Sequence, residues 1–149
     1  MGTIVCTFHA GAIARDGVRR LEAALRRVYR DELGQSARVF WYELPAGQAF
    51  TAGQPSDFTY LLVEVADGLE NARRERALHA FANELATSMQ VAIDRVMVTV
   101  ADHSVFARFL GAYRERIRPR SRPWFLATTV LGLLRSRRRD GYLALRTNL

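Results

Sequence analysis

Ala37-Arg38-Val39-Phe40-Trp41-Tyr42-Glu43 and Asp94-Arg95-Val96-Met97-Val98-Thr99-Val100 line up residue for residue at an offset of 57, each an arginine entering an apolar run. The same offset carries Ile4-Val5-Cys6 onto Leu61-Leu62-Val63. Self-similarity at a fixed period marks a repeated supersecondary unit. Between the members of each pair lies a helical pattern. Val18, Leu21, Leu25, Val28 and Tyr29 form an apolar stripe in the first unit, and Leu78, Phe81, Ala82, Leu85 and Met89 in the second. Asp16 and Asn71 are the expected N-caps, and Gly34 the expected C′ residue. Each half therefore reads strand, helix, strand. A helix-length crossover joins parallel strands by a right-handed connection.

The expected architecture is an α/β (α+β) chain with two tandem β-α-β units. They give a four-stranded mixed sheet with two helices on one face, plus a helical basic C-terminal extension. The strands fall near residues 3–8, 38–43, 59–65 and 95–101, repeat one near 2–53, repeat two near 57–103, and the extension over 104–149, all in a single domain. The strands are nearly continuous apolar runs, the pattern of strands buried on both faces. The C-terminal segment or another subunit must then cover the face opposite the helices, and self-association is the expected cover. In the extension, Ser104 is the expected cap of a third helix with Phe106, Phe109, Leu110, Tyr113 and Ile117 on one side. Pro119 and Pro123 break it, Phe125 to Arg138 forms a fourth helix, and Gly141 to Leu145 gives a short terminal strand.

All 22 basic residues are arginine, so the chain has no lysine amine for Schiff-base chemistry. The last 36 residues hold ten of these arginines against only Glu115 and Asp140, so the net charge of +7 resides in the tail. The plainer alternative to a binding tail is a ring of arginines around a packed helix, and nucleic acid and membrane are not expected partners. The lone Cys6 rules out an internal disulfide and suits a reducing compartment. The N-terminus lacks the basic and apolar regions of a signal peptide, and the apolar run Trp124 to Leu134 is too short to span a bilayer. A cytoplasmic location is the expectation. His9, His79 and His103 show no metal-ligand spacing, so neither a metal nor another cofactor is expected.

Two tandem β-α-β units starting at the N-terminus resemble the tautomerase superfamily. Ser36 to Glu43 followed by Pro45-Ala46-Gly47-Gln48-Ala49-Phe50-Thr51-Ala52-Gly53 resembles the second strand and hairpin of 4-oxalocrotonate tautomerase. The chain length, the Pro45-Ala46-Gly47 turn with Phe50, and Ile93-Asp94-Arg95 resemble the cis-3-chloroacrylic acid dehalogenase group. The resemblance implies a homotrimer and proton-transfer (isomerase) chemistry on a small carboxylate-bearing or enolisable substrate, carried by an N-terminal proline amine. Here Gly2 follows Met1, Tyr29 stands where the dehalogenase-like relatives have a histidine, and their paired arginines fall at Gly68 and Asn71. Their strand tyrosine falls at Ala101 and their later glutamate at Ala112. Arg38 and Phe50 match the arginine and phenylalanine of the smaller tautomerase.

Gly2 is accordingly the candidate catalytic residue. A small second residue permits removal of Met1, and the resulting α-amine titrates near 7.7–8.0 in unperturbed form. Arg38, and after it Arg73, are the candidates for holding a substrate carboxylate, since a guanidinium binds it bidentately. Tyr29, Trp41 and Phe50 are candidates for an apolar pocket wall. Each has a plainer alternative: a strand end, solvated arginines, core aromatics. The rival function is a non-catalytic ligand- or partner-binding relative whose arginine tail meets an anionic polymer.

Overall fold

A computed structural model describes residues 1–45, 47–51, 53–116 and 119–146. Of the positions read from sequence, Ala46, Ala52, Ile117 and Arg118 lie outside the described residues. The elements follow in the order β1 (Gly2–His9), α1 (Arg15–Leu33), β2 (Ala37–Leu44), a hairpin of β3 (Phe50–Thr51) and β4 (Gln54–Pro55), β5 (Thr59–Val65), α2 (Asn71–Met89), β6 (Val96–Asp102), α3 (His103–Glu115), α4 (Arg122–Asp140) and β7 (Ala144–Arg146). Both repeats fold as strand, helix, strand. The helix stripes explain why: Val18, Leu21, Leu25 and Tyr29 of α1 and Ala77, Phe81 and Leu85 of α2 are buried at helical spacing. Gly34 ends α1 in the left-handed region at φ 70, with its N–H donated to the Arg30 carbonyl. The N-caps differ from expectation. They are Ala14 and Glu70, without side-chain caps, and Asp16 instead lies in the first turn paired to Arg20 at 2.7 Å.

The sheet has five strands in the order β6-β5-β1-β2-β7, against the four expected. Within each repeat the strands pair in parallel, β1 with β2 and β5 with β6, while the two repeats meet antiparallel at β1 and β5. The fifth strand is the terminal one, which pairs in parallel with β2 and is fastened by the Trp41 N–H to the Leu143 carbonyl at 2.8 Å.

Alternate residues point to opposite faces. Ile4, Cys6, Phe8, Val39, Trp41, Leu61, Val63 and Val65 meet α1 and α2 and form the core. The opposite face carries Thr3, Val5, Thr7, Arg38, Phe40, Tyr42, Tyr60, Leu62 and Glu64, and all of these but Arg38 and Glu64 are half-buried. The strands are therefore enclosed on one face and only partly on the other. α3 packs against β5 and β6, and α4 against β7, standing over this second face across a cavity of about 1390 Å³. The tail is pinned at its end. Asp140 is fully buried, meeting Arg139 at 3.1 Å and Arg15 at 3.4 Å, and its carbonyl accepts from Arg19 Nε at 2.9 Å. Among the described residues no helix is long and apolar enough to cross a membrane.

Candidate active site

Gly2 lies at one end of the sheet, beside Ala37, and donates its N–H to the Ser36 carbonyl at 3.0 Å. A β-carbon there would overlap the Tyr29 hydroxyl oxygen and stand 2.5 Å from Tyr29 Cζ, so any larger residue must displace the ring. Tyr29 is held by its hydroxyl, which donates to the Glu64 carbonyl at 2.7 Å, and by a tilted contact with Phe81. Burial, with the Glu64 charge added, raises the Tyr29 pKa, which keeps the hydroxyl protonated as a donor. Glycine at position 2 and tyrosine at position 29 are thus one packing solution.

A polar row crosses the open face one residue further in. Arg38 pairs in register with Thr3, the antiparallel register carries Thr3 onto Glu64, and Glu64 pairs with Ala101. Thr3 hydrogen-bonds to the Glu64 carboxylate. On its other side, Glu64 Oε1 lies 2.5 Å from His103 Nδ1 at the start of α3. The Glu64 side chain is 11% exposed and that of His103 66%, so the dyad has an enclosed carboxylate and an open imidazole. Burial pushes the Glu64 carboxyl up, but hydrogen bonds from Thr3 and His103 and the imidazolium charge outweigh it and hold it below the usual range. The hydrogen bond to Glu64 and its charge raise His103, with Asp67 adding to both. Asp67 Oδ1 also accepts the Ser104 N–H at 2.9 Å, and Asp102 is taken by Arg74 at 2.6 Å.

The structure brings Gly2, Tyr29 and Arg38 to this end of the sheet. Arg38 is exposed and makes no ion pair among the described residues. Arg73 instead donates from Nε to the Glu32 carbonyl at 2.8 Å, satisfying the last turn of α1. Trp41 is fully buried on the helix-facing side between Phe8 and Tyr142, and Phe50 is 64% exposed on the hairpin. Thr3, Glu64 and Asp67 were not singled out from sequence, and His103 was named there only as lacking metal-ligand spacing. Their available signal was Glu64, a lone acid in the run Tyr60-Leu61-Leu62-Val63-Glu64-Val65. Among the described residues no three His, Cys, Asp or Glu side chains gather as a metal site.

This arrangement of strands recurs in solved structures. Native Ps01740 superposes with a TM-score of 0.64 at 23% identity, over 67% of this chain and 92% of that one. N1, a member of the cis-3-chloroacrylic acid dehalogenase (cis-CaaD) family, superposes at 0.65 with 18% identity, over 67% and 73%. A fused 4-OT wild type asymmetric trimer gives 0.64 and 18%, over 67% and 85%. The chain has the tautomerase fold. No family model matches the sequence, and no curated protein matches it either. The matches cover about two thirds of this chain, a share close to the length of the two β-α-β units.

Proposed function

We propose that this tautomerase-fold protein transfers a proton on a small carboxylate-bearing or enolisable substrate, without a cofactor. In this reading the Gly2 amine, freed by loss of Met1, is a base or acid, and Arg38 holds the anion. The observation that carries it is the polar row beside Gly2. It sets an exposed guanidinium, without an ion pair among the described residues, two strand spacings, or roughly 10 Å, from the enclosed Glu64 carboxylate of the carboxylate–imidazole pair, with Thr3 between them. An apolar floor under an anion holder and a proton carrier suits a compact enolisable acid.

Arg38→Ala is the test. A carboxylate beside Phe40 and Tyr42 is partly desolvated, so its charge-assisted hydrogen bonds are worth roughly 1.5–3 kcal/mol. Affinity for a small dicarboxylate should fall by about one to two decades in calorimetric titration. Arg38→Lys should recover only part of it. Arg95→Ala, which removes the repeat-equivalent arginine paired to Asp57 at 2.8 Å, should bind as wild type does. Equal affinities in all variants would put the non-catalytic binding reading ahead, which the engaged Gly2 N–H also favours.

We read residues 1–149 as one domain, because β7 returns to the sheet of the repeats, and as cytoplasmic, because the lone Cys6 is buried and unpaired. The protein is also read as a homo-oligomer, specifically a trimer. Val105, Phe109, Leu110, Trp124, Val130 and Leu134 of α3 and α4 are each about half exposed or more, apolar surface of the kind that marks an interface. Several of the similar structures are trimers. Light scattering at micromolar concentration should give three times the monomer mass, and a clean monomer would refute the assembly.

A further inference from the structure

Glu64 and His103 stand outside the chemistry that the tautomerase resemblance assigns, yet their geometry is that of an oriented acid–base pair. An ionised carboxylate can only accept hydrogen bonds. The 2.5 Å contact between Glu64 Oε1 and His103 Nδ1 therefore requires the proton on Nδ1. That tautomer leaves the Nε2 lone pair free on an imidazole whose side chain is 66% exposed. Glu64 is itself fixed on the far side by Thr3, and the Tyr29 hydroxyl grips the Glu64 carbonyl. The peptide following His103 is tied to Asp67 through the Ser104 N–H at 2.9 Å. Both members are thus held in place, and neither is needed to satisfy the core.

We propose that His103, oriented by Glu64, is a proton-transfer residue of this site, acting on the enolisable carbon or oxygen of a substrate anchored by Arg38. This rests on the functional reading above and adds a second proton carrier to the Gly2 amine. In the forward step His103 Nε2 takes a proton from the carbon next to the substrate carbonyl. The electron pair of the broken C–H bond forms the enolate, and the new N–H bond makes an imidazolium. Glu64 remains a carboxylate and stabilises that cation through the Nδ1–H bond. The imidazolium then returns its proton to the enolate oxygen, giving the enol and restoring the neutral ring. No oxidant, reductant or co-reactant enters. Glu64 is a positioning residue, since it acts on the substrate only through His103.

The groups facing the imidazole are Glu64 of β5 and Asp67 of the loop after β5, while neighbouring Asp102 of β6 is neutralised by Arg74 of α2. The two acids favour the imidazolium, so the base form emerges above the ordinary histidine pKa of about 6.5. The acidic limb of kcat/KM should lie on that side.

The experiment follows phenylpyruvate keto–enol conversion by the full chain across pH, with the His103 ring titrated in parallel by nitrogen-15 NMR. His103→Gln should lower kcat by roughly 10²–10⁴-fold with KM little changed, whereas Arg38→Ala should raise KM. Glu64→Gln keeps a hydrogen-bond acceptor but removes the charge. It should move both the NMR titration and the acidic limb of kcat/KM to lower pH together. Wild-type turnover and an unmoved limb in His103→Gln would overturn the assignment while leaving proton transfer at this site standing. Absence of wild-type turnover over a panel of 2-oxo acids, with carboxylate binding lost in Arg38→Ala, would overturn both this inference and the catalytic reading but preserve the anion site. Concerted movement of the NMR titration and the rate limb is the supporting result, because a merely structural histidine would not move the rate.

Discussion

Trp41→Ala is expected to lower the unfolding free energy by about 3–5 kcal/mol, the range for deleting a large buried aromatic. The indole is fully buried in β2, with ring centroids 5.7 Å from Phe8 and 6.2 Å from Tyr142, both edge-on. Those contacts join three parts of the chain: the first strand, the second strand and the turn leading into β7. The indole Nε1–H also donates to Glu22 Oε2 of α1 at 3.1 Å, so the ring bridges the sheet and the helix above it. Truncation leaves a cavity that rigid strands cannot close and removes two edge-to-face contacts, each worth about 0.5–1.5 kcal/mol beyond area. Trp41→Phe should cost much less, since a ring remains and Glu22 keeps Arg26 at 2.6 Å. Urea unfolding of both variants checks this. A loss below about 1 kcal/mol for Trp41→Ala would mean that the indole is not packed as described.

Trp41 also shows where sequence reading stops. An aromatic in a strand can face a core or a pocket, and only the register decides. Here Val39 and Trp41 share the face of the helices, and Phe40 and Tyr42 share the open one. The repeat itself was legible because both units needed the same apolar stripe and the same arginine before the second strand. The parallel pairing within each unit followed from it, whereas the order of the strands and the place of the terminal strand beside β2 did not. The fully apolar runs were less informative. They suggested equal burial of both faces, whereas α3 and α4 leave the second face half covered over a wide cavity. Arg73 illustrates the limit for charge. Its pattern suits an anion holder, but proximity to the end of α1 commits its Nε to the Glu32 carbonyl. The Glu64–His103 pair is separated by 39 residues and forms only because β5 and β6 lie side by side. No local spacing announces it. The Gly2–Tyr29 fit is similarly long-range. A glycine at a strand start reads as permissive, yet here the tyrosine hydroxyl group fills the space of its β-carbon.

Inserting one alanine between Met1 and Gly2 should reduce keto–enol turnover at least about a hundredfold. An extended residue advances the chain by roughly 3.3–3.6 Å, and a misplacement of about 1 Å can cost on the order of 10²-fold in rate. The fold gives the strand no way to absorb the insertion by slipping inward. Gly2 is in register with Ala37, its N–H is tied to Ser36, and Tyr29 excludes a β-carbon at that position. A register shift would place alanine against the tyrosine ring and turn Ile4, Cys6 and Phe8 away from the core. The added residue must therefore project outward to where Met1 is 71% exposed, and the amine leaves the polar row with it. Mass spectrometry of the intact chains identifies the first residue in each preparation. The insertion leaves Arg38, Glu64 and His103 in place, so carboxylate affinity should be retained, and any residual rate should keep the acidic limb set by His103. Unchanged turnover in a chain shown to begin at the inserted alanine would remove the Gly2 amine from the reaction and leave His103 as its proton carrier.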